Sequence, residues 1–536
     1  MEVKADTVST IFKSFSKFFL GTSFSRITGL LRDIFLAFFF GGSIHIAAFF
    51  VAYRLSNLFR RVFAESSLNM AFIPHFEQLK IEDKKKSIFF VRDMFFTLLL
   101  LLGAVTFLSE IALGVFFKKS TITSLTMIMF PGLIFICLYA FLSAIMQCHG
   151  SYFLPAFSPV FFNLTWISSI LLFHSVSDQK FVYLLSFVVP IAFFIQFIVL
   201  LPSTLKILKD QISFKEFLNF KLFSFEVKKM LKPIIYSIIG ISAIQVNSAL
   251  DSIFAYFADE KGPAYLWYAM RLYQLPIALF SVSIFSAILP PLTRAFKNND
   301  LIGFKKILNV SFKNSFTFMI IATFGVIVLA GSIVNLIFVK KSFDIVCFEN
   351  TTMSFIAYSL GLVSVVFVMI VSASFYAVKN YFYPAISSVV SVIVNIILNS
   401  IFIYVFKMGF VSVAYATTIS SIINFFTLNY FLKQKIEKSF NKMAILSFIK
   451  VSTITAMSAS FTILFGFFLK DPSILFILKK AYVLKTDFLH KIYSFLSLFS
   501  IYILSVLFLS YVFKIDEVLS ILKIRSKKTE IEKDKI

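Results

Sequence analysis

Long apolar stretches alternate with short polar segments along the whole chain. Each stretch approaches the roughly 20 residues that a helix needs to cross the ~30 Å hydrocarbon core of a membrane. The pattern predicts about 14 membrane-spanning helices. Their predicted bounds are 17–40, 46–73, 88–116, 123–147, 157–174, 181–202, 233–257, 264–292, 312–338, 352–377, 384–406, 409–432, 444–469 and 490–513.

Composition points to the same class. Hydrophobic residues make up 59% of the sequence and charged residues 15%, whereas soluble domains average about 45–50% apolar and about 25% charged. The mean hydropathy of +0.89 excludes a soluble protein with mostly polar surfaces. We therefore expect an all-α membrane protein.

Basic residues concentrate in alternate loops. The positive-inside rule then predicts that these loops and both termini face the cytoplasm. The formal net charge of +24 is attributed to contact with anionic lipid headgroups, because its spread over many loops argues against nucleic acid. The predicted cytoplasmic segments are 1–16, 74–87, 203–232, 293–311, 378–383, 433–443 and 514–536.

Two motifs of the first half recur in the same order in the second half. Ala52–Leu58 is similar to Ala269–Leu275, and Tyr152–Ala156 is similar to Tyr381–Ala385. Six predicted spans separate the copies, so the copies share one orientation, as in transporters built from parallel repeats. We expect two six-helix lobes plus two extra helices. The predicted divisions are 1–202 (N-terminal lobe), 203–232 (basic linker), 233–432 (C-terminal lobe), 433–513 (extra helices) and 514–536 (basic tail).

Charged residues lie inside several predicted spans. One arginine at the centre of a spanning helix costs about 2.5–3.5 kcal/mol, so a group of them indicates a water-filled cavity or an anionic partner. The spacing along a helix allows Asp33 to pair with Arg26 and Glu65 to pair with Arg61. It leaves Arg32, Arg54, Arg60 and Arg271 without an obvious local partner. The arginines for which we favour a cationic cavity are Arg26, Arg32, Arg60 and Arg271.

The chemistry that such a cavity recognises follows from the guanidinium group. It binds phosphate oxygens bidentately and keeps its charge at any working pH, so an anionic lipid headgroup or a phosphorylated solute is expected. For Arg54 and Arg61 the alternative is that the side chains extend to the membrane interface. The sequence contains no Walker loop or HExxH motif, and its 16 glycines leave little room for phosphate-binding loops. We expect a transporter without a cofactor rather than an enzyme.

An ordered series of motifs runs through spans 1, 2 and 8. It comprises Ser25–Asp33, Phe40-Gly41, Ala48–Glu65, Ala71–Pro74, Tyr268–Pro276 and Leu289-Pro290. This series resembles the signature of the MurJ/MviN family, the lipid II flippases of bacterial peptidoglycan synthesis within the MOP exporter superfamily. The resemblance fades through the last two spans.

The resemblance implies two lobes around a central cavity, with the extra helices forming a lipid-tail groove. It also implies that the substrate is lipid II, undecaprenyl-pyrophosphate carrying a disaccharide pentapeptide. Alternating access would move it from the cytoplasmic to the periplasmic leaflet of the bacterial cytoplasmic membrane. Ala47 and Met270 stand where acids are usual in the family, which makes this cavity more positive. The substrate-binding candidates are Arg26, Arg32, Arg54, Asn57, Arg60 and Arg271.

A second group of polar residues lies in the later spans. Oxygen atoms from a carboxylate, amides and a hydroxyl suit a hard cation, and the positions resemble a sodium site that some family members have. The alternative is ordinary hydrogen bonding between helices. The candidate sodium ligands are Asp251, Asn395, Asn399, Thr417 and the carbonyl of Val413.

Two other functions stay open at this point. One is a related exporter of another polyprenyl-linked glycan or of an amphipathic solute; for a drug, carboxylates rather than arginines are expected in the N-terminal lobe. The other is an intramembrane enzyme that acts on a polyprenyl phosphate. Asp33 is its one plausible catalytic residue, and pairing with an arginine is the simpler role for that carboxylate.

Overall fold

The computed structural model describes residues 8–60, 67–117, 120–209, 213–278, 282–378, 380–435, 442–478 and 487–519. Within these ranges the regular elements are helices, which confirms the all-α class. The backbone packing divides the chain into two compact units, Met1–Tyr256 and Phe257–Ile536. The domain bounds expected from the sequence stay a prediction, and residues 520–536 of the basic tail lie outside the described ranges.

The two units contain similar numbers of helices. Those of the first are α1 (Val8–Phe40), α2 (Ile44–Arg60), α3 (Ser67–Glu82), α4 (Lys84–Phe116), α5 (Thr121–Met129), α6 (Gly132–Cys148), α7 (Phe153–Phe157), α8 (Pro159–Phe173), α9 (Asp178–Lys209), α10 (Phe214–Leu218) and α11 (Phe225–Ala258), the last ending just beyond the division. Those of the second are α12 (Gly262–Pro276), α13 (Val282–Lys297), α14 (Leu301–Ile337), α15 (Ile345–Ser359), α16 (Leu362–Ala377), α17 (Phe382–Ser400) with the π-helix π1 (Ile401–Val405), α18 (Val411–Lys435), α19 (Lys442–Phe468), α20 (Pro472–Ile477), α21 (Phe488–Val512) and α22 (Asp516–Leu519).

Within the described residues, 10 helices are long and apolar enough to cross a membrane. They are α4, α5 with α6, α7 with α8, α9, α14, α15 with α16, α17 with π1, α18, α19 and α21. Each coincides with a predicted span. The other predicted spans correspond to α1, α2 with α3, α11, and α12 with α13, which carry charges or include residues outside the described ranges. The class is therefore confirmed, and the number fourteen stays a prediction.

The internal repeat is visible in which helices pack together. In the first unit α3 packs on α4 and α6, and α9 packs on α5, α6 and α8. In the second unit α13 packs on α14 and α16, and α18 packs on α15, α16 and α17. Each pair in one unit has a counterpart at the equivalent place in the other, as expected for a duplicated six-helix lobe.

Both units break the corresponding helix at a glycine. A Cβ on Gly132, the first residue of α6, would lie 2.9 Å from the Phe193 ring. One on Gly361, just before α16, would lie 3.2 Å from Thr418 Oγ1. Glycine therefore lets α9 pack closely on α6 in the first unit, and it lets α18 pack closely on the start of α16 in the second unit. A membrane interior offers no water to a carbonyl freed by such a break, and Thr418 Oγ1 donates to the Ala357 carbonyl at 2.8 Å.

The two extra helices α19 and α21 pack against α14 in the second unit. The Tyr502 ring of α21 packs against Gly325 of α14, where a Cβ would lie only 3.0 Å from the ring. Its hydroxyl donates to the Ile321 carbonyl at 2.7 Å. A hydrogen bond between the Ser332 and Ser473 hydroxyls, 3.0 Å long, ties α14 to α20. These contacts fix the extra helices to the second unit.

The segment after α9 is held against the start of α4 by a buried ion pair. Arg92 Nε and Nη2 donate to Asp93 Oδ1 at 2.9 and 2.7 Å. Arg92 Nη1 donates to the Glu216 carbonyl at 2.7 Å, and Asp93 Oδ1 accepts from the Lys221 N–H at 3.0 Å. Because the pair binds α10 at Glu216 and the chain just after α10 at Lys221, we call these four residues the linker clamp.

Replacing Asp93 with alanine is expected to open the linker clamp. The change leaves the Arg92 charge buried without its partner, and removing one member of a buried pair costs about 3–5 kcal/mol. We expect faster trypsin cleavage after Lys215 and Lys221 in the purified protein, measured by limited digestion and mass spectrometry.

The matched control is Glu77→Gln, which removes a half-exposed ion pair with Lys80 whose charged atoms are 3.6 Å apart. An exposed pair contributes at most about 1 kcal/mol, so this variant should be cleaved like the wild type. Equal cleavage of the Asp93 and Glu77 variants would contradict the clamp.

Candidate functional site

Arg32 of α1 lies in a buried ion pair with the residue that follows it. Its Nε and Nη2 donate to Asp33 Oδ1 at 3.0 and 2.8 Å, and the two residues are 5% and 1% exposed. Nη1 donates to Oδ1 of Asn163 in α8 at 3.2 Å. The guanidinium carbon lies 4.5 Å from the centre of the Trp166 ring. Arg32 is therefore held by residues of both α1 and α8.

These contacts show that the expectation of no local partner for Arg32 was wrong. Neighbouring side chains on a helix point in different directions, so spacing alone does not suggest the pair. The long arginine side chain nevertheless reaches Asp33 while Asn163 holds its other edge. Asn163 is itself fixed, because its Nδ2 donates to the Ser25 carbonyl at 3.1 Å and to Thr28 Oγ1 at 3.0 Å.

Arg26 lies in a different environment on the same helix. It is exposed near the middle of the 33-residue helix α1. Within the described ranges it makes no ion pair or side-chain hydrogen bond. A full charge at such a position of a membrane helix requires water or an anion nearby. Arg26 thus has the environment expected of a binding residue.

The candidates on α2 are partly buried. Arg54 is half-buried, and its Nη1 donates to the Ser248 carbonyl of α11 at 3.2 Å. Asn57 is buried and its Nδ2 donates to the Tyr53 carbonyl at 2.9 Å, while its Oδ1 accepts no hydrogen bond from the part of the chain that the structure describes. Arg60 is the last described residue of α2. Its side chain is not among those that the structure describes, and residues 61–66 lie outside the described ranges.

Arg271 is the candidate in the second unit. It is half-buried on α12, and its guanidinium carbon lies 4.4 Å from the centre of the Trp267 ring. The chain contains 2 tryptophans, and each lies against an arginine of the candidate site. A desolvated cation–π contact contributes roughly 2 kcal/mol. Sequence reasoning missed Trp166, Trp267 and Asn163; the i, i+4 spacing of Trp267 and Arg271 was the available signal.

Four of the five candidate sodium ligands form one hydrogen-bonded chain in the second unit. Asn395 and Asn399 are both 0% exposed, and Asn399 Nδ2 donates to Asn395 Oδ1 at 2.8 Å. Asn395 Nδ2 lies 3.5 Å from Thr417 Oγ1, which donates to the Val413 carbonyl at 3.0 Å. π1 begins two residues after Asn399, and π-helical turns often occur at functional sites. The oxygen-rich set fits a hard cation.

The fifth candidate, Asp251, lies on α11 in the first unit and is 1% exposed. Asn247 Nδ2 lies 3.5 Å from its Oδ2. Among the described residues no group of three or more His, Cys, Asp or Glu side chains is placed to hold a metal ion. A cation bound to the set on α17 and α18 would therefore rely on amide, hydroxyl and carbonyl oxygens.

An apolar groove lies between α19 and α21 of the second unit. Its volume is about 480 Å³. The lining is almost entirely aliphatic and aromatic, which suits a hydrocarbon chain. The residues that line it include Met457, Phe461, Ile501, Leu504 and Phe508.

The fold defines a multi-pass α-helical membrane protein. Two helical units with equivalent packing are an architecture known from transporters that are built from repeats. The fold is similar to that of an inward-facing multidrug resistance MATE family transporter of the MOP superfamily, with a TM-score of 0.59 and 17% identity over 77% of this chain and 94% of that chain. At this identity the likeness concerns the fold alone.

The chain belongs to the lipid II flippase MurJ family, whose model matches residues 36–484. A probable lipid II flippase MurJ of Chlamydia muridarum is 29% identical over 424 residues, which cover 78% of this chain and 77% of the relative. A probable lipid II flippase MurJ of Aquifex aeolicus is 29% identical over 462 residues, which cover 81% of this chain and 86% of the relative. A solved lipid II flippase MurJ in an inward closed conformation has a TM-score of 0.73 and 27% identity, over 94% of this chain and 99% of that chain.

Asp33→Ala is expected to destabilise the first unit far more than Arg26→Ala. The former leaves the Arg32 charge buried without its carboxylate, at a cost of about 3–5 kcal/mol. The latter removes an exposed side chain and is expected to change stability by at most about 0.5 kcal/mol. Unfolding of the purified protein in micelles with increasing denaturant measures both, and equal midpoints would contradict the assignment of Arg32 as a buried, paired charge.

Proposed function

We propose that the chain moves lipid II from the cytoplasmic to the outer leaflet of a bacterial cytoplasmic membrane by alternating access. The observation that carries this proposal is Arg26, an exposed guanidinium near the middle of α1, the helix that coincides with the first predicted span. A charge at that place needs water or an anion, and lipid II carries an anionic pyrophosphate. Membership of the MurJ family supports lipid II as that anion.

The arginines have different proposed roles. Arg26 and Arg271 bind pyrophosphate oxygens during the transport cycle, because guanidinium groups bind phosphate bidentately and do not lose their charge. The Arg32 charge is offset by Asp33, so Arg32 adds a weaker contact while holding α1 and α8 together. Arg54, Asn57 and Arg60 supply further polar contacts from α2.

The charge of the cargo favours the outward direction. The cell interior is electrically negative, and moving one elementary charge through 100 mV changes its free energy by about 2.3 kcal/mol. The free energy of an anionic headgroup therefore falls as it moves outward. We assign both termini to the cytoplasm because the basic loops alternate with poorly charged ones, and transport on this basis needs no cofactor.

We assign the groove between α19 and α21 to the isoprenoid tail of the substrate. Its lining includes Phe461, Leu504 and Phe508. Transfer of apolar surface from a lipid environment to such a groove is close to neutral. The tail is therefore expected to slide along the groove while the headgroup crosses the membrane.

Expression of the chain in a bacterium depleted of its own MurJ is expected to restore growth, and Arg26→Ala and Arg271→Ala are each expected to abolish that rescue. Losing one hydrogen-bonded charge weakens phosphate binding by about 1.5–3 kcal/mol, which lowers the affinity for the headgroup at least tenfold. Growth and the accumulation of lipid II in the inner leaflet are measured at matched membrane levels.

The matched control is Arg294→Ala, which removes an exposed arginine in the last turn of α13 and is expected to rescue like the wild type. Rescue by both site variants would contradict the assigned binding role. Failure of the wild type despite good membrane insertion would shift the proposal to another polyprenyl-linked cargo.

We also propose that sodium binds to the oxygen-rich set on α17 and α18. A ligand present at about a hundred times its Kd stabilises the folded state by about 2.7 kcal/mol. The candidate ligands on these two helices are Asn395, Asn399, Thr417 and the Val413 carbonyl.

Thermal unfolding in sodium chloride is therefore expected to occur at a higher temperature than in potassium chloride of equal ionic strength. Thr417→Val is expected to abolish the difference, because it removes one oxygen ligand. Ser391→Ala is the control, since that hydroxyl donates to the Ser420 carbonyl at 3.0 Å on the same pair of helices. Identical unfolding of the wild type in both salts would rule out the sodium site.

A further inference from the structure

The segment after α9 is fixed to the first unit along most of its length. The linker clamp binds α10 at Glu216 and the chain just after it at Lys221. Past it, Thr97 Oγ1 accepts from the Phe223 N–H at 3.3 Å, and the Phe220 ring stacks on the Phe96 ring with their centres 4.0 Å apart. The segment therefore has a defined orientation against α4.

Glu226, at the start of α11, supplies a second attachment. Its carboxylate oxygens lie 3.0 Å from Lys86 Nζ, 3.2 Å from His75 Nε2 and 3.5 Å from Lys229 Nζ. Burial acts to raise the pKa of Glu226, but the hydrogen bond and charge of Lys86 outweigh it, so the pKa is lowered. The carboxylate is therefore ionised at neutral pH and joins α3, α4 and α11.

Large apolar side chains face outward between these attachments. Leu218 is 55% exposed, Leu222 44% and Phe225 70%. Exposed lysines are interleaved with them at positions 215, 221 and 228. We call these six residues the linker face. A rigid surface that exposes both apolar groups and cations is typical of elements that lie in a membrane interface.

The length of α4 indicates the depth of the linker face. The helix has 33 residues and is about 50 Å long, which exceeds the ~30 Å hydrocarbon core by about 20 Å. Its sequence has no charged residue between Asp93 and Glu110, so the hydrocarbon boundary falls near Asp93. The linker clamp includes Asp93, and the linker face therefore lies at the level of the lipid headgroups.

We propose that the linker face is a binding surface for anionic phospholipids of the leaflet beside it. The three lysines contact headgroup phosphates, and the leucines and Phe225 insert among the upper parts of the acyl chains. Each lysine near an anionic surface strengthens association roughly fivefold. This surface is separate from the proposed transport of lipid II and does not depend on it.

The test places a tryptophan at the linker face of the full chain, as Leu222→Trp and independently as Leu218→Trp. Each protein is reconstituted into vesicles in which either phosphatidylglycerol or phosphatidylcholine carries a spin label near the headgroup, at the same mole fraction. The emission of the parent protein, from Trp166 and Trp267, is subtracted. The introduced tryptophan is expected to be quenched several-fold more by labelled phosphatidylglycerol than by labelled phosphatidylcholine.

Lysine variants separate the charge from the apolar contact. Changing the lysines at 215, 221 and 228 to glutamine is expected to bring the ratio of quenching by the two lipids close to one while quenching itself persists. The matched control changes Lys340, Lys341 and Lys470 to glutamine, which are exposed lysines of the second unit, and should leave the ratio unchanged.

Two results would overturn the proposal. If neither labelled lipid quenches the introduced tryptophan in either variant, water or protein covers the linker face. If both lipids quench it equally in the wild-type background, the surface contacts the membrane without selecting anionic headgroups.

Discussion

A guanidinium group inside an apolar helix must be neutralised, and the arrangement of the first unit follows from how that happens. Asp33 supplies the charge for Arg32, while Asn163 and Trp166 bring α8 against α1 to hold the rest of the group. The close approach also requires a small residue, since a Cβ on Gly21 would lie 2.8 Å from the Ala156 Cβ of α7. The Arg32 charge thus joins α1 and α8, and Gly21 lets α7 pack on the same helix. Arg26, nearly two turns earlier, lies outside this network.

Much of the fold was predictable from the sequence, because hydropathy reports directly on membrane-crossing helices. Chemistry within one helix was partly predictable as well: Asn395 and Asn399, spaced to share a face, are hydrogen-bonded to each other. Contacts between residues that are distant in the sequence were not predictable. Asn163 meets Arg32 across 131 residues, and Arg92 meets the Glu216 carbonyl across 124. No local pattern encodes such contacts, because they depend on how α8 and the linker fold back onto earlier helices.

The duplication conserves packing more strictly than it conserves chemistry. Equivalent helices pair in the two units, and both interrupt the same helix at a glycine, Gly132 or Gly361, where a neighbour comes close. Around those interruptions the polar contacts differ. Gly132 meets the Phe193 ring, whereas Gly361 meets the hydroxyls of Thr418 and Ser421. Backbone geometry limits how near two helices can lie, so it constrains both copies, while side-chain hydrogen bonds were free to diverge.

The pairing of each tryptophan with an arginine has a practical consequence. Indole emission responds to charge and water within a few ångströms of the ring, and the chain has no tryptophan other than Trp166 and Trp267. Trp166 lies against Arg32 in one unit and Trp267 against Arg271 in the other. The unmodified protein therefore contains one intrinsic optical reporter per lobe, each sensitive to its own arginine. Removing either indole would let the two halves be followed separately in time.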